Sequence, residues 1–342
     1  MNRPLRIGLI GAGMVSRHHL LAWADIADRA RVVAVADPSS DNAARRAAEF
    51  GIAQVHADAE TMLAQAELDA VDIAAPRQCH APLVRLAAKR GLPVLCQKPL
   101  APTLAEAQAL VADTAGARLM VHENWRFRRY YRDAARWIAE GTIGAVRQCQ
   151  ITLLTSGLLP DATGVRPALV RQPFFRHEQR LLVNEVLIHH LDTMRVLLGP
   201  LTVTAAQLGR TCADMAGEDN ALITMTAVSG AAAVVLANLA APGFPSTQAD
   251  EMLTIGTTGS IRLHGNRLER TGAAPEVRDY DLADCYQGAY DAVIAHFANA
   301  VRTGQAFETT PEDNLQTLRL VEDAYRLSGW PRATPSARPF LG

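Results

Sequence analysis

Residues 91–100, GLPVLCQKPL, place a lysine after a short apolar run and directly before a proline. The chain has 34 Lys and Arg side chains, and only two of them, Lys89 and Lys98, are lysines. A lysine withdrawn from water can lower its pKa and exchange a proton, whereas an arginine stays charged. Lys98 is therefore a candidate acid–base group. The structural alternative is an ordinary exposed lysine, which is our interpretation of Lys89.

A second candidate group lies in LLVNEVLIHHLDTMRVLLGP, whose apolar spacing predicts a helix over residues 181–198. Glu185, His189 and Asp192 stand at i, i+4 and i+7, so they would share one helix face. A carboxylate one turn from a histidine can orient the ring and stabilise its charge after proton uptake. His189 with Glu185 is thus a candidate general base. The alternatives are a core histidine and a metal pair, although the sequence suggests no third and fourth ligands.

A glycine-rich turn follows the first apolar run, LRIGLIG, and precedes a helical pattern. Gly11 would permit the tight turn, and Gly13 would let the backbone approach a pyrophosphate that rests on the helix N-terminus. Ser16 stands where this fingerprint usually has a third glycine, so the match is imperfect. The residues predicted to line the pyrophosphate site are Gly11, Ala12, Gly13, Met14 and Val15.

Asp37 ends the next apolar run, RVVAVAD. A carboxylate at this point accepts hydrogen bonds from the adenosine ribose hydroxyls and repels a 2′-phosphate. Together with the glycine-rich turn it predicts NAD, rather than NADP, as the cofactor. The structural alternative is a glycine-rich turn followed by an Asp-Pro pair without a ligand.

The ends of later apolar runs point to the same ligand, because open parallel sheets bind ligands at the carboxyl ends of their strands. Pro76 closes AVDIAAP, and His80 begins the helix after it. Gln97 and Lys98 close LPVLCQ and precede a capping box, TLAE. We expect Pro76, His80 and Gln97 to contact the cofactor, with Lys98 beside the nicotinamide.

Two arginine-containing stretches are further candidates for ligand contact. HENWRFRRYY, residues 122–131, interleaves aromatic and basic side chains where the first domain should end. Trp125 and Arg126 are predicted to contact the cofactor or the substrate, and the alternative is the start of an amphipathic helix. In RQPFFRHEQR, Arg176 is a candidate donor to substrate hydroxyls.

The order of these stretches predicts two domains. The first 120 residues alternate β-rich runs with Ala-rich amphipathic stretches, which indicates a parallel sheet covered by helices on both faces. After residue 145, longer β-rich runs with hairpin turn signals predict a mainly antiparallel sheet. Helices are predicted near 287–303 and 311–328. We expect a dinucleotide-binding domain at 1–122 and a substrate-binding and oligomerisation domain at 123–342, with the C-terminal helix returning to the first.

Composition narrows the class of protein. The net charge of −1 gives no reason to expect nucleic acid or an anionic membrane surface as a partner. The longest apolar run, AAAVVLANLAA, is too short to span a bilayer. Five cysteines without a CxxC pair indicate free thiols in a reducing compartment. We therefore expect a cytoplasmic globular protein without a membrane partner.

Several of these motifs resemble the glucose–fructose oxidoreductase and inositol dehydrogenase family from end to end. They are GLIGAGMVSRHH, VADPS, APRQCHAP, CQKPLAPTLAEAQAL, NWRF and NEVLIHHLDTMRVLLG. The resemblance implies a Rossmann domain beside an open-faced, mainly antiparallel sheet, and a homodimer or homotetramer. It also implies NAD(P)-dependent oxidation or reduction of sugars and polyols, with Lys98 as the catalytic lysine, His189 as the acid–base residue and a cis Pro99. HENWRF and RQPFFR are most similar to the subgroup that includes D-apiose dehydrogenase.

The sequence departs from the family pattern at three positions. Gln97 replaces a glutamate, which removes a negative charge beside Lys98 and disfavours the protonated amine, although Gln97 can still hydrogen-bond a ribose. Glu185 replaces the more common aspartate, and Leu187 stands where glycine is frequent. These changes leave catalysis plausible and put its pH optimum and substrate fit in question.

The combined features predict an NAD-dependent dehydrogenase of a small sugar, with an aldose such as the pentose D-apiose favoured. Lys98 and His189 are expected to reach the reacting hydroxyl, with Glu185 orienting the imidazole and Arg126 and Arg176 contacting substrate. Oxidation at an anomeric carbon would give a lactone, and oxidation elsewhere a ketone. Three alternatives remain open: an NAD-dependent glycosidase with transient internal redox, a non-catalytic NAD- or sugar-sensing protein, and a reductase of a non-sugar.

Overall fold

The computed structural model describes residues 3–247 and 249–331. Of these, 3–127 and 286–316 form one compact unit, and 128–285 with 317–331 form a second. The expected division at residues 122 and 123 placed residues 286–316 in the second domain, whereas they cluster with the first unit. The two units are described separately below.

The first unit contains a six-stranded, wholly parallel sheet with the order β3-β2-β1-β4-β5-β6. This is the strand order of doubly wound dinucleotide-binding sheets, so the predicted Rossmann fold is confirmed. The strand order reverses between β1 and β4, which is where such sheets bind ligands. The strands are β1 (Leu5–Ile10), β2 (Ala30–Ala36), β3 (Gln54–His56), β4 (Ala70–Ile73), β5 (Val94–Gln97) and β6 (Leu119–His122).

Helices cover this sheet and enclose its core. They are α1 (Ser16–Asp25), α2 (Ser40–Phe50), α3 (Ala59–Gln65), α4 (His80–Lys89), α5 (Leu104–Asp113) and residues 286–303 of α9 (Leu282–Thr303). Leu5 and Ile7 of β1 pack in one buried cluster with Trp23 of α1 and Phe297 of α9. The Trp23 and Phe297 rings meet edge to face at 6.3 Å. Helix α9, late in the chain, therefore completes the core of the dinucleotide-binding unit.

The second unit is built on an eight-stranded sheet of order β14-β13-β12-β11-β7-β10-β9-β8. Only the β7–β10 pair is parallel, and the other neighbours are antiparallel, as predicted in the main. The strands are β7 (Val146–Leu154), β8 (Leu201–Gly209), β9 (Asn220–Ala227), β10 (Ala232–Asn238), β11 (Asp250–Gly256), β12 (Ser260–His264), β13 (Arg267–Arg270) and β14 (Glu276–Asp279).

The helices of the second unit include α8, which contacts β7 and β10 of the sheet. They are α6 (Arg129–Ala139), α7 (Pro167–Arg171), α8 (Ile188–Leu198) and residues 317–328 of α10 (Pro311–Ser328). Strands β9, β10 and β11 alternate buried and exposed residues, as expected for a sheet with one open face. The exposed apolar side chains of this open face include Leu222, Leu236, Leu253 and Ile255. Among the helices of the described ranges, none combines the length and apolar character that a membrane crossing requires.

We predict that Phe297→Ala lowers the free energy of unfolding of the first unit by about 3–5 kcal/mol, because it leaves a cavity in the core. Phe244→Ala, which truncates a ring that is 46% exposed, is the matched control and should change stability by less than about 1 kcal/mol. Thermal unfolding followed by tryptophan fluorescence measures both, since Trp23 lies in the affected cluster. Equal effects of the two substitutions would contradict the assignment of α9 to this core.

Candidate active site

The glycine-rich turn after β1 lies against the segment that follows β4. Gly11 has a φ of 96°, and a Cβ on it would lie 2.7 Å from the carbonyl carbon and oxygen of Ala74. Only glycine therefore allows these two strand ends to approach so closely. A Cβ on Gly13, by contrast, would meet nothing within 4 Å, so the backbone there borders open space. The turn thus leaves room for a ligand at the point where the strand order reverses.

The helix that follows this turn has an N-terminus suited to an anion. Helix α1 begins at Ser16 without a side-chain cap and without an acidic residue in its first turn. Helices α2 and α5, in contrast, are capped by Ser39 and Thr103. Uncapped N–H groups and the helix dipole together favour a phosphate at this end. The stretch from Gly11 to Val15, with Met14 53% exposed, therefore fits the pyrophosphate of NAD.

Asp37 lies at the end of β2, beside the same turn. Its Oδ2 accepts a hydrogen bond from the Ala12 backbone N–H at 2.6 Å, and its Oδ1 accepts one from the Ser39 N–H at 2.8 Å. Each carboxylate oxygen has a second lone pair, and the side chain is partly exposed. Asp37 can therefore shape the turn and still accept hydrogen bonds from ribose hydroxyls.

Ser16 fills the position where the fingerprint usually has glycine, and it has a structural role. Its hydroxyl donates to the Gly13 carbonyl oxygen at 2.7 Å and accepts from Arg46 Nε at 3.2 Å. Arg46 Nη2 also donates to the Gly13 carbonyl, at 3.1 Å. Ser16 thus links the turn to helix α2.

Lys98 lies at the carboxyl end of β5. The β5–β6 register pairs Gln97 with His122, so Lys98 and Glu123 are the next residues at adjacent strand ends. Burial, the largest effect, and the positive charge of Arg77 lower the pKa of Lys98, the negative charge of Glu123 raises it, and the net value is about 8. An amine with this pKa can exchange a proton near neutral pH. The Lys98–Pro99 peptide bond is cis, as the resemblance implied.

Gln97 is directed into the core, where it is only 7% exposed. Its Oε1 accepts a hydrogen bond from the Lys98 backbone N–H at 2.9 Å, and its Nε2 lies 3.0 Å from His19 Nε2. His19 Nδ1 in turn lies 2.9 Å from an oxygen of Asp72. Sequence reasoning assigned no role to His19, Asp72 or Glu123. His19 acts on Gln97, Glu123 on Lys98, and Asp72 on His19, all through tertiary contacts. A charge inside the apolar run AVDIAAP was the available sequence signal.

His80 connects the segment after β4 to the residue after Lys98. Its Nδ1 lies 2.7 Å from the Pro99 carbonyl oxygen, and its Nε2 lies 2.8 Å from that of Ala75. Burial lowers the pKa of His80, the two carbonyls raise it, and the nearby positive charges of Lys98 and Arg77 lower it. Because both carbonyl oxygens only accept, a neutral His80 donates to one of these two strand ends at a time. Pro76, the residue after Ala75, is exposed.

Trp125 and Arg126 lie in a short 3₁₀ turn, Trp125–Phe127, and both are buried. The Trp125 backbone N–H donates to Glu123 Oε1 at 3.1 Å, so this turn also holds the carboxylate that acts on Lys98. Arg126 Nη2 donates to Asp313 at 2.6 Å. Ligand contact by Trp125 and Arg126 stays a prediction.

In the second unit, the predicted helix over 181–198 has an irregular start. Leu182–Leu187 forms a π-helical turn, and α8 follows from Ile188. The i, i+4 and i+7 spacing that predicted one shared face holds for an α-helix, which begins only at Ile188. Glu185 lies before it, in the π-helical turn. His189 is almost fully buried, and Asp192 accepts a hydrogen bond from Thr317 Oγ1 at 2.9 Å.

A buried carboxylate that the sequence did not reveal anchors this π-helical turn. Glu218 accepts hydrogen bonds from the backbone N–H groups of Leu181 at 3.1 Å and Val183 at 2.9 Å. The Tyr325 hydroxyl donates to Glu218 at 2.5 Å. Burial raises the pKa of Glu218, and these donors lower it. Glu218 thus fixes the segment that carries Glu185.

Arg176 lies at the surface of the second unit. It is exposed, and its Nη1 lies 2.9 Å from Asp214, which also pairs with Arg166. Across the described residues 3–247 and 249–331, no group of three or more His, Cys, Asp or Glu side chains is placed to hold a metal ion.

The candidate groups of the first unit, the glycine-rich turn and Lys98, both lie at the carboxyl ends of its strands.

We predict that Glu123→Gln lowers the pKa of Lys98 below about 8, because the substitution removes the charge that stabilises the ammonium form. The neutral fraction of the amine at pH 7, which is about a tenth at a pKa of about 8, should then rise by roughly fivefold for the first unit by which the pKa falls. Trace acetylation as a function of pH measures this directly, with Lys89, the other lysine, as internal reference. Glu140→Gln, at an exposed carboxylate of the second unit, is the control. An unchanged or higher Lys98 pKa would contradict the role of Glu123.

Comparison with known proteins places this geometry in a family. The sequence profile of an oxidoreductase family with an NAD-binding Rossmann fold matches residues 5–124, and the profile of the GFO/IDH/MocA C-terminal domain matches residues 131–262. A D-apiose dehydrogenase of Paraburkholderia graminis is 35% identical over 334 residues, which cover 93% of this chain and 86% of the relative. A D-apiose dehydrogenase of Rhizobium rhizogenes is 31% identical over 338 residues, with 94% of each chain covered.

A solved structure agrees with these sequence matches. The structure of an oxidoreductase from Agrobacterium radiobacter in complex with NAD+, L-tartaric acid and magnesium has a TM-score of 0.88 and 29% identity to this chain. The match covers 95% of this chain and 96% of that one. The two profiles together match most of residues 5–262, and the relatives cover more than nine-tenths of the chain. This chain therefore belongs to the GFO/IDH/MocA family of NAD-binding oxidoreductases.

Proposed function

We propose that the protein is an NAD-dependent dehydrogenase that oxidises the anomeric carbon of a small aldose, with a pentose such as D-apiose as substrate. Lys98 supplies the main support, because its amine has a pKa of about 8 at the carboxyl edge of an NAD-binding sheet. The two relatives named D-apiose dehydrogenase, at 35% and 31% identity, support the substrate class.

The reaction requires a hydride acceptor and a proton acceptor. Bound NAD+ supplies the acceptor for the hydride that leaves the anomeric carbon. The neutral amine of Lys98 accepts the hydroxyl proton, so a cyclic hemiacetal loses two electrons and two hydrogens and becomes a lactone. His189, with Glu185 as its orienting carboxylate, is the second acid–base group. The pyrophosphate binds at Gly11–Val15, and Asp37 binds the adenosine ribose.

The loss of the family glutamate at position 97 does not leave Lys98 without a carboxylate nearby. Glu123 is buried at the end of the adjacent strand, and its charge raises the pKa of Lys98. The amine therefore retains partial stabilisation of its protonated form, which favours uptake of the substrate proton. This supports chemistry at Lys98 despite the replacement by Gln97.

We predict that the purified protein reduces NAD in the presence of one or more aldoses, D-apiose among them. Lys98→Ala should lower kcat by at least about a hundredfold, because it removes the proton acceptor. Lys89→Ala, at the exposed lysine, should retain the activity. NADH absorbance measures turnover over a panel of aldoses and polyols, and denaturing release measures bound cofactor.

A different pattern would favour one of the alternative functions. Tightly bound NAD without net turnover, together with cleavage of a glycoside, would indicate a glycosidase with transient internal redox. Binding of NAD and sugar without either reaction would indicate a sensing protein. Full activity of Lys98→Ala would contradict the assignment of Lys98 as the proton acceptor.

We also propose a cytoplasmic homodimer or homotetramer whose subunits meet through the open face of the eight-stranded sheet. Leu222 and Leu236 are register neighbours on this face, and Leu253 and Ile255 extend its apolar surface on β11. An exposed apolar patch of this kind is typical of an interface. All five cysteines are free, which supports a reducing compartment.

We predict that Leu236→Glu shifts the protein to a smaller assembly, because it introduces a charge at the centre of this face. Val228→Glu, at the 84% exposed tip of the β9–β10 hairpin, is the control and should leave the assembly unchanged. Light scattering coupled to size exclusion measures the mass of each. A wild-type monomer, or a Leu236→Glu protein of unchanged mass, would contradict this interface.

A further inference from the structure

The orientation of the Gln97 carboxamide is fixed by a donor that cannot change its role. The Lys98 backbone N–H can only donate, and it lies 2.9 Å from Gln97 Oε1. A reversed carboxamide would place two donors against each other. The NH₂ group of Gln97 must therefore point the other way, towards His19 Nε2 at 3.0 Å and His122 Nδ1 at 3.4 Å.

This orientation determines where His19 carries its proton. Because Gln97 donates to Nε2, that nitrogen must accept, so the ring proton lies on Nδ1. His19 Nδ1 lies 2.9 and 3.1 Å from the two oxygens of Asp72, which accept it. Trp23 Nε1 donates to the same carboxylate at 2.8 Å. With a neutral His19, each donor in the series from Asp72 through His19 and Gln97 to Lys98 faces an acceptor.

Burial makes this arrangement specific. His19 and Asp72 are fully buried, and the His19 and His122 rings stack with centroids 4.2 Å apart. Buried polar groups without a partner are costly, and the alternative tautomer would set a His19 Nε2–H against the Gln97 NH₂ and leave Asp72 without the His19 donor. The Gln97 carboxamide is therefore held in this one orientation.

We propose that Gln97 is a positioning residue, which a neutral His19 and the Asp72 carboxylate hold in the core so that it fixes the backbone at Lys98. Its contribution to turnover rests on the proposed dehydrogenase function, whereas the tautomer of His19 does not. Gln97 in this role acts through Lys98 rather than through contact with the NAD ribose. His80, which lies against the Pro99 carbonyl, holds the other side of the same lysine.

The tautomer is tested on the unmodified protein by ¹⁵N NMR after histidine-selective labelling. Ten histidines are present, and His19 is identified by the signal that a His19→Gln variant lacks. We expect the pattern of a neutral ring with its proton on Nδ1. A proton on Nε2, or on both nitrogens, would overturn the proposed chain of hydrogen bonds whatever the activity of the protein.

The positioning role is tested by separating turnover from cofactor binding. Gln97→Met keeps the side-chain volume and removes both hydrogen bonds, so kcat should fall by roughly ten- to a hundredfold while the Kd for NAD changes by less than about twofold. Asp72→Leu, which removes the acceptor for the His19 Nδ1 proton, should have the same effect. Trp23→Phe removes a donor to Asp72 that is not part of the series of hydrogen bonds from Asp72 through His19 and Gln97 to Lys98. It should retain both the tautomer and kcat.

Each result has a distinct meaning. A weaker Kd for NAD in Gln97→Met at unchanged kcat would overturn the positioning role in favour of direct ribose contact. Normal kcat in both Gln97→Met and Asp72→Leu would overturn it as well. If no sugar is turned over, the proposed function fails. The pH-dependent acetylation of Lys98 relative to Lys89 then serves as the readout in place of kcat. Unchanged Lys98 reactivity in both variants would overturn the positioning role.

Discussion

The candidate chemistry depends on a single electrostatic balance, the partial withdrawal of the Lys98 amine from water. Desolvation lowers the pKa of this amine to about 8, and the Glu123 carboxylate and the Arg77 guanidinium act in opposite directions on it. Greater burial alone would make the amine a permanent neutral base, and full exposure would make it a permanent cation. The surrounding structure keeps both protonation states within reach near neutral pH, as a group that takes up and releases a proton in each cycle requires.

The parallel sheet explains how these groups come together. In parallel strands the carboxyl ends lie at one edge, so residues that are far apart in the chain become neighbours there. Strand β4 contributes Asp72, β5 contributes Gln97 and then Lys98, and β6 is followed by Glu123. The same edge carries the turn at Gly11. The parallel register therefore places the glycine-rich turn and Lys98 on the same side of the first unit.

Local sequence patterns predicted the parts of the site that depend on local structure. Gly11 and Asp37 were found because a strand, a turn and a helix N-terminus follow one another in the chain, and Lys98 because its residue type is rare in this sequence. His19, Glu123 and Glu218 were missed because their partners are distant in sequence, and no periodicity marks such contacts. A return of the chain to the first unit was expected for the C-terminal helix, whereas α9 makes most of it, and the π-helical turn before His189 was not expected at all. In both cases tertiary packing, rather than helix propensity, decides the outcome.

The replacement of glutamate by Gln97 follows from the charges already present around it. Position 97 faces His19, which is already paired with the buried carboxylate of Asp72. A second carboxylate there would leave two buried anions around one imidazole, and this is favourable only if the ring takes up a further proton. A carboxamide satisfies the same geometry without a charge. The negative charge that acts on Lys98 then comes from Glu123, which the β5–β6 register places beside the lysine rather than beside Asp72.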